Sequence, residues 1–442
     1  MTFLRRRPAL IAFLVAVIWL LALEERFRGS ATGRLYFHAW TSEYMMQTVS
    51  LGDLRIEPFK SLWYNHIQPP VFDGIRAAIA AFYPRTDPDT LMRRVDAALY
   101  GIWLFLYGAM AALVFGWIRR ALSARAAALS VAVFLLLPGP VFYATFLDGT
   151  FLSSLLLLWF FFTLWRFGRG EAVSGQLLSV CLLLFLTRSV FQWPFLVVLA
   201  GAFFLMGIPR KPSLKVLVPL GVFMAAFLAK QYILFGLTTT SSFGPDSFCK
   251  GLSEYCHGTT KVELPKTTDR FNAFVLRRAE KLNGEYNYNQ EAFLKRSFSQ
   301  MEEYKSLLRR MTLKRAIHLL GINLDFYLRP TSRHSAHVIV DRIAWRDPFE
   351  WVLSGWRLVA LLLAAGALWL RGCLCFAGDE RRRALLHGLG LALPAFYVAA
   401  VTIVFESGEN MRYRFFLEPT MAVFVALSLS TKRRAKASAP AS

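Results

Sequence analysis

Cysteine and acidic residues are scarce in this sequence, and several common site motifs are absent from it. Only 5 of the 442 residues are cysteine, and 29 Asp and Glu stand against 51 Lys and Arg. The sequence has no P-loop, no GxGxxG, no HExxH and no GxSxG in a suitable context. ATP-driven transport, redox chemistry with a bound nucleotide and serine hydrolysis therefore lose support.

Apolar residues make up 55% of the chain, which is more than a soluble domain of this length can hide around one core. A membrane-spanning helix needs roughly 20 mainly apolar residues. About ten stretches qualify: 8–23, 94–117, 126–144, 150–167, 175–189, 191–208, 214–236, 351–371, 384–405 and 413–430. Arg188 and Pro194 interrupt the pair at 175–208, which is either two helices or one broken helix. We expect an all-α polytopic membrane protein.

The first apolar stretch follows Arg5–Arg7 and is compatible with a signal peptide or a retained anchor. The sequence after it is EERFR rather than a small-residue cleavage site. We interpret the stretch as an anchor.

Basic residues recur after every second predicted span, which is the positive-inside pattern. The clusters are Arg5–Arg7, Arg119, Arg120, Arg125, Arg166, Arg169, Arg210, Lys211, Lys215, Arg371, Arg381–Arg383, Lys432, Arg433, Arg434 and Lys436. This pattern predicts cytoplasmic termini, an even number of spans and two long outer segments, at about 24–93 and 237–350. No basic-aromatic motif accompanies the net charge of +22, so nucleic acid is not an expected partner.

The predicted spans divide the chain into four parts. These are an N-terminal transmembrane module (1–236), a large outer loop (237–350), C-terminal spans (351–430) and a cytoplasmic tail (431–442). Apolar periodicity predicts amphipathic interfacial helices over 71–82 and 294–311 and a short helix over Ser42–Val49. Ordered structure of this extent is more typical of an enzyme that holds a lipid-borne substrate at the interface than of a simple channel.

The large outer loop contains Cys249 and Cys256, which could form a disulfide in an oxidising compartment or remain two free thiols. We favour the disulfide. Cys373 and Cys375 fall on the cytoplasmic side with no histidine partner for a metal.

Two candidate motifs lie in the first outer segment. RLYFHAWTSEYMMQT contains Glu43, which is placed to act as a general base or simply to begin a helix. SLWYNHIQPP holds Tyr64, His66 and Gln68 on a turn fixed by two prolines. Those side chains could bind a sugar or phosphate, or the turn could only join two helices.

Two more motifs lie at the outer ends of later spans. Asp148 in FYATFLDGT is either a functional carboxylate or the N-cap of the next span. FESGENMRYRFFLEP contains Arg412 and Arg414, which could clamp a phosphate or pair with the acidic residues of the same hairpin. Lys230 and Arg188 could add positive charge on this side or snorkel from their spans.

The order of these segments resembles that of membrane-embedded glycosyltransferases of the GT-C class. An acidic outer loop is followed by HIQPPVFDGIRA, then by FYATFLDGTFLSSLLLL and finally by ENMRYRFFLEP. The branch that these motifs resemble comprises the protein O-mannosyltransferases and the lipid A aminoarabinose transferase. The resemblance covers most of residues 1–210 and 385–430, and the loop 237–350 has no counterpart.

The resemblance implies transfer of a single sugar from a polyprenyl-phosphate carrier to a glycan, lipid or protein acceptor outside the cytoplasm. It implies Glu43 as the catalytic base, Asp148 as the second acidic residue and Arg412 and Arg414 as phosphate ligands. The sequence departs from the family where Ser42 replaces an expected acidic residue and Gln68 an expected lysine. His66 or Lys230 would then supply the cation.

No cofactor is expected, and the lack of a DxD pair in the first outer loop favours metal independence. A flippase or transporter of lipid-linked sugars and a polysaccharide polymerase or ligase remain alternatives. A transporter would instead place polar residues at the bilayer midplane. The compact loops favour a bacterial inner membrane, with the active site facing the periplasm.

Overall fold

The computed structural model describes residues 7–28, 42–43, 48–144, 146–252, 290–330, 354–406 and 410–428. Regular structure in these ranges is entirely helical. The helices of the first half are α1 (Pro8–Arg28), α2 (Leu51–Ile56), α3 (Pro58–Trp63), α4 (Val71–Ala80), α5 (Pro88–Ala121), α6 (Ala124–Leu136), α7 (Pro138–Ala144), α8 (Gly149–Gly168), α9 (Ser174–Phe185), α10 (Trp193–Leu205) and α11 (Arg210–Phe235). The helices of the second half are α12 (Gly244–Leu252), α13 (Gln290–Arg309), α14 (Leu313–Leu328), α15 (Gly355–Leu374), α16 (Gly378–Phe405), α17 (Asn410–Arg414) and α18 (Glu418–Ser428).

Six of these helices are long and apolar enough to cross a membrane: α1, α5, α8, α11, α15 and α16. Four shorter apolar helices, α6, α9, α10 and α18, fall on further predicted spans. The protein is therefore all-α among its described residues and carries several helices suited to a bilayer. The count of ten spans stays a prediction.

Helix boundaries follow local sequence signals. Asp87 caps α5 by accepting a hydrogen bond from the Thr90 N–H at 2.9 Å, and Pro88 occupies the first turn, where its missing N–H costs nothing. Pro138 divides the predicted span 126–144 into α6 and α7. The predicted span pair at 175–208 is also divided, because α9 ends at Phe185 and α10 begins at Trp193.

The core of the bundle is built by aromatic and aliphatic side chains from α5, α8 and α9. Trp103, Tyr107 and Trp117 of α5 are fully buried, as are Phe160 and Phe161 of α8. The first helix belongs to this bundle, since Phe13 and Val17 pack against Gly108, where a larger residue would clash. The Trp19 indole N–H also donates to the Leu135 carbonyl at 2.9 Å.

The short connections after α5, α8, α10 and α15 meet at one end of the bundle, which we call the basic end. Arg120 Nη1 of α5 lies 3.8 Å from Glu171 in the connection after α8. A Cβ on Gly168 would lie 2.5 Å from the His387 ring near the start of α16. Most basic clusters of the sequence lie here, as the positive-inside pattern predicts.

The opposite end, which we call the loop end, carries α2, α3, α4, α12, α13 and α14. The predicted helices over 71–82 and 294–311 correspond to α4 and α13. The predicted helix over Ser42–Val49 is not formed at its described positions, because Ser42 and Glu43 form a turn and Thr48 a bend; residues 44–47 lie outside the described ranges. The sequence pattern did not predict the helices α2, α3, α12 and α14.

Candidate functional site

Asp148 is the point at which two predicted motifs meet. It caps α8, with Oδ1 accepting from the Thr150 N–H at 2.8 Å and Oδ2 from the Thr150 hydroxyl at 2.6 Å. Arg188 Nη2 lies 3.5 Å from the same Oδ2, and Arg412 forms an ion pair with it. Asp148 is thus both a helix cap and the centre of an ion cluster.

Arg188 and Arg412 converge on this carboxylate from segments more than two hundred residues apart. Arg188 also donates to Thr150 Oγ1 at 3.1 Å and lies over the Phe416 ring, with its Cζ 5.8 Å from the ring centroid. Arg412 Nε donates to Thr150 Oγ1 at 2.8 Å. Two guanidinium groups held side by side form an arrangement suited to phosphate, because each presents a planar fork of donors.

A cavity of about 550 Å³ lies beside this cluster, with Arg188 in its wall. Its size falls in the usual range for small-molecule sites. The wall has a polar part, to which Gln68, Gln192, Thr238, Thr239, Ser241, Ser247 and Glu406 contribute. It also has an aromatic part, formed by Trp193, Phe243, Phe248, Tyr397, Phe405 and Tyr413. Hydroxyl and amide groups next to aromatic faces provide the contacts that a sugar needs.

The proline turn holds Gln68 at the cavity. The Val71 N–H, directly after Pro69 and Pro70, donates to the Leu186 carbonyl at 3.0 Å, which ties the turn to the segment that carries Arg188. Asn65 stabilises the other side of the turn, because its Oδ1 accepts from the Ile67 N–H at 3.1 Å. Gln68 and Arg188 consequently both line the cavity, and their predicted role in donor binding stays a prediction.

The other residues of this motif face the protein interior. His66 Nδ1 lies 2.9 Å from the Ser242 hydroxyl, and its ring packs against Phe235 with centroids 4.9 Å apart. Tyr64 packs against the small core formed by Phe235, Leu237 and Leu294. Through these contacts, both residues hold the proline turn against the end of α11 and the segment that follows it.

Glu43 lies in a second, fully buried ion cluster. Arg76 Nη2 of α4 donates to Glu43 Oε2 at 2.6 Å, and Arg76 Nη1 donates to Asp73 Oδ1 at 2.7 Å. The Leu51 N–H donates to Glu43 Oε2 at 3.1 Å. Glu43 is not among the described residues that line the cavity. These contacts give it a defined architectural role and leave its predicted catalytic role to experiment.

Two predicted phosphate ligands lie away from the cavity. Arg414 is fully buried, donates to Glu418 Oε1 at 3.1 Å and to the Tyr327 carbonyl at 2.8 Å, and so joins α17, α18 and α14. Lys230 Nζ lies 5.1–5.6 Å from the ring centroids of Trp63, Phe227 and Phe235. The amine therefore lies among three aromatic rings, in the geometry of cation–π contacts.

Several cavity residues carry no signal in the local sequence. In the sequence, Glu406 is only one of several charges in its hairpin, and nothing around Gln192 or Tyr397 marks them as binding residues. The Tyr397 hydroxyl donates to the Val190 carbonyl at 2.7 Å, across 207 residues of chain. Only the tertiary arrangement brings such residues together.

Cys249 is disulfide-bonded, while Cys181, Cys373 and Cys375 are free. Its predicted partner, Cys256, lies outside the described residues, so the pairing stays a prediction. The described ranges contain no group of three or more His, Cys, Asp or Glu side chains arranged to hold a metal ion.

No protein-family model matches this chain, and no curated protein matches it significantly.

Proposed function

We propose that the chain is a glycosyltransferase that moves a single sugar from a polyprenyl-phosphate carrier to an acceptor hydroxyl at the loop end. The observation that carries this proposal is the cluster of Asp148, Arg188 and Arg412 beside a polar and aromatic cavity. The proposal includes ten spans, with the basic end in the cytoplasm of a bacterial inner membrane. The acceptor is a glycan, a lipid or a protein.

In the proposed reaction, the acceptor oxygen attacks the anomeric carbon and the bond from that carbon to the phosphate oxygen breaks. The phosphate leaves with the electron pair, and the guanidinium of Arg188 stabilises its growing charge in a site with little water. Asp148 holds Arg188 and Arg412 side by side, and so positions Arg188, which lines the cavity, beside the proposed phosphate. Direct displacement of this kind inverts the anomeric centre.

A carboxylate must accept the proton of the acceptor hydroxyl, and it must come within hydrogen-bond reach of that proton. The resemblance assigns this role to Glu43. Among the described residues, Glu406 is the carboxylate that lines the cavity. Replacing each by glutamine removes the base and keeps the shape, so a matched pair of variants decides between them.

The experiment is a transfer assay of the purified protein with a panel of polyprenyl-phosphate sugars, followed by mass spectrometry of the acceptor fraction. We expect Arg188→Gln to reduce transfer by about a hundredfold or more, because the loss of one preorganised donor typically costs that much. Arg329→Gln is the matched control, since Arg329 is exposed and pairs with Asp325 at 2.9 Å. Full transfer by Arg188→Gln would refute the assignment of the site.

Glu43→Gln is expected to abolish transfer while donor binding persists. If Glu43→Gln is active and Glu406→Gln is not, the base is the cavity carboxylate. If both variants remain fully active, neither carboxylate is the base.

A transporter of lipid-linked sugars is the competing function, because the same cavity would bind the same headgroup. It predicts movement of the carrier across liposome membranes with no new glycosidic bond. A polymerase or ligase would require a pyrophosphate-linked donor, so inclusion of such donors in the panel tests that function too.

A further inference from the structure

A second cavity, of about 500 Å³, lies at the other end of the bundle between α15, α16 and α18. Its wall is almost entirely apolar and includes Gly366, Trp369, Gly388, Ala392 and Phe424. Water is a poor occupant, because a buried water needs polar partners that this wall lacks. The occupant must therefore be apolar over most of its length.

The cavity is elongated along the helices. Its lining residues on α16 run from Ala384 to Ala399, a rise of about 22 Å along an α-helix. Half of the hydrocarbon thickness of a bilayer is only about 15 Å, so the cavity is longer than one leaflet is thick. A Cβ on Gly366 would meet no atom within 4 Å, so the groove is open beside that glycine. An extended hydrocarbon chain has the matching shape.

The rim of this cavity at the basic end carries exposed arginines. Arg169 lies over the ring of the lining residue Trp165, with its Cζ 4.8 Å from the centroid. Arg381 precedes the lining residue Ala384 by three residues on α16, so it lies on the same face of that helix, one turn closer to the basic end.

Carboxylates at this end do not remove the positive charge of the rim. Glu171 pairs with Arg166, whose Nε lies 2.6 Å from its Oε2. In the stretch 371–383, Asp379 and Glu380 stand against four arginines. The rim therefore attracts an anion.

We propose that this cavity binds an anionic glycerophospholipid, with an acyl chain in the groove and the phosphate between Arg169 and Arg381. An apolar groove that ends in a cationic rim is complementary to such a lipid and not to a neutral one. The site is distinct from the proposed donor site, because the two cavities share no lining residue; where they come closest, Phe396 and Ala399 of α16 line this one and Tyr397 and Val401 line the other. The bound lipid fills the gap between α15 and the rest of the bundle.

The test is native mass spectrometry and thermal unfolding of the purified, delipidated protein with dioleoyl phosphatidylglycerol or dioleoyl phosphatidylcholine. The two lipids share their chains and differ in charge. We expect only phosphatidylglycerol to remain bound and to raise the melting temperature. Arg169→Gln combined with Arg381→Gln is expected to weaken its binding by about tenfold or more. Arg310→Gln, which changes an exposed arginine at the loop end, is expected to leave binding unchanged.

A second pair of variants tests the groove itself. Gly366→Phe fills the cavity and is expected to abolish retention of phosphatidylglycerol. Gly101→Phe is the matched control, because Gly101 is exposed on α5 and also has no atom within 4 Å of a built Cβ.

Three results would overturn the proposal. One is equal retention of both lipids. Another is unchanged retention in Gly366→Phe, which would mean binding to the outer surface only. The third is displacement of the bound phosphatidylglycerol by a polyprenyl phosphate, which would assign the groove to a carrier tail.

Discussion

Arg76 is a fully buried guanidinium that holds two carboxylates from different segments of the loop end. Its Nη1 also donates to the Val49 carbonyl at 2.7 Å, so it also fixes the backbone just before α2. The periodicity of α4 placed Arg76 and Asp73 on one face of an interfacial helix but gave no reason to pair them with Glu43. The sequence pattern did not predict that the face of α4 with Asp73 and Arg76 is buried. Once buried, the charge of Arg76 has to be paired with carboxylates.

We expect Arg76→Met to lower the free energy of unfolding by about 3–5 kcal/mol, because it leaves Glu43 and Asp73 buried without their cation. Thermal unfolding in detergent measures the change. Lys60→Met is the matched control: its ion pair with Glu57 is 2.8 Å long but largely exposed, and its loss costs about 0–1 kcal/mol. Equal effects of the two variants would show that the buried cluster contributes no more than a surface pair.

Asp148 shows which contacts of a single residue could be predicted from its local sequence. Its motif allowed two interpretations, a helix cap and a functional carboxylate. The cap is formed, the carboxylate also pairs with Arg188, and its catalytic function stays a prediction. Arg188 and Arg412 were predicted as cations of one outer face, and they share that carboxylate. Arg414, two residues after Arg412, lies on another face of the short helix α17 and is fully occupied by Glu418 and Tyr327. Because Arg412 and Arg414 are so close in sequence, the motif could not show that they have different partners.

At the scale of helices, hydropathy located the long elements and proline located most of their breaks. The expected span at 214–236 corresponds to Arg210–Phe235, and that at 384–405 to Gly378–Phe405. The missed helices α12 and α14 are short or strongly mixed in polarity, so no apolar run marks them. They are held by tertiary contacts, such as the 3.3 Å hydrogen bond from the Asn323 side chain to the Gly251 carbonyl.

The contact of α12 with α16 depends on one glycine. A Cβ on Gly251 would lie 2.8 Å from the Val404 carbonyl oxygen, which is backbone and cannot turn aside. We expect Gly251→Ala to separate the two helices, to lower the melting temperature and to weaken donor binding, because Phe248 and Phe405 of these helices line the cavity. Thermal unfolding and donor retention measure the two effects.

Gly321→Ala is the matched control for this variant. Gly321 is exposed on α14 and has no atom within 4 Å of a built Cβ. Alanine there is expected to stabilise the helix by about 0.5–1 kcal/mol. A Gly251→Ala protein as stable as the Gly321→Ala protein would mean that α12 is not held against α16.

At the scale of the whole molecule, two features of the sequence agree with the fold. The basic clusters of the described short connections lie at one end of the bundle, and the proposed catalytic residues lie at the other. Charge and hydropathy are long-range averages, so the sequence could predict this division. It could not predict the cavity, because that wall is assembled from segments between Gln68 and Tyr413 whose contacts depend on packing alone.

The difference between the two ends of the bundle also allows a test of the orientation of the protein in the membrane, and this test uses a native cysteine. Cys375 is free and exposed just after α15 at the basic end, whereas Cys181 and Cys373 are buried. If the basic end is cytoplasmic, a membrane-impermeant maleimide should label Cys375 in inside-out vesicles and not in right-side-out vesicles. A Cys375→Ser protein carrying Arg85→Cys, in the exposed connection before α5, should give the opposite result. Labelling of Cys375 from outside would reverse the topology, and the proposed glycosyl transfer outside the cytoplasm would fail with it.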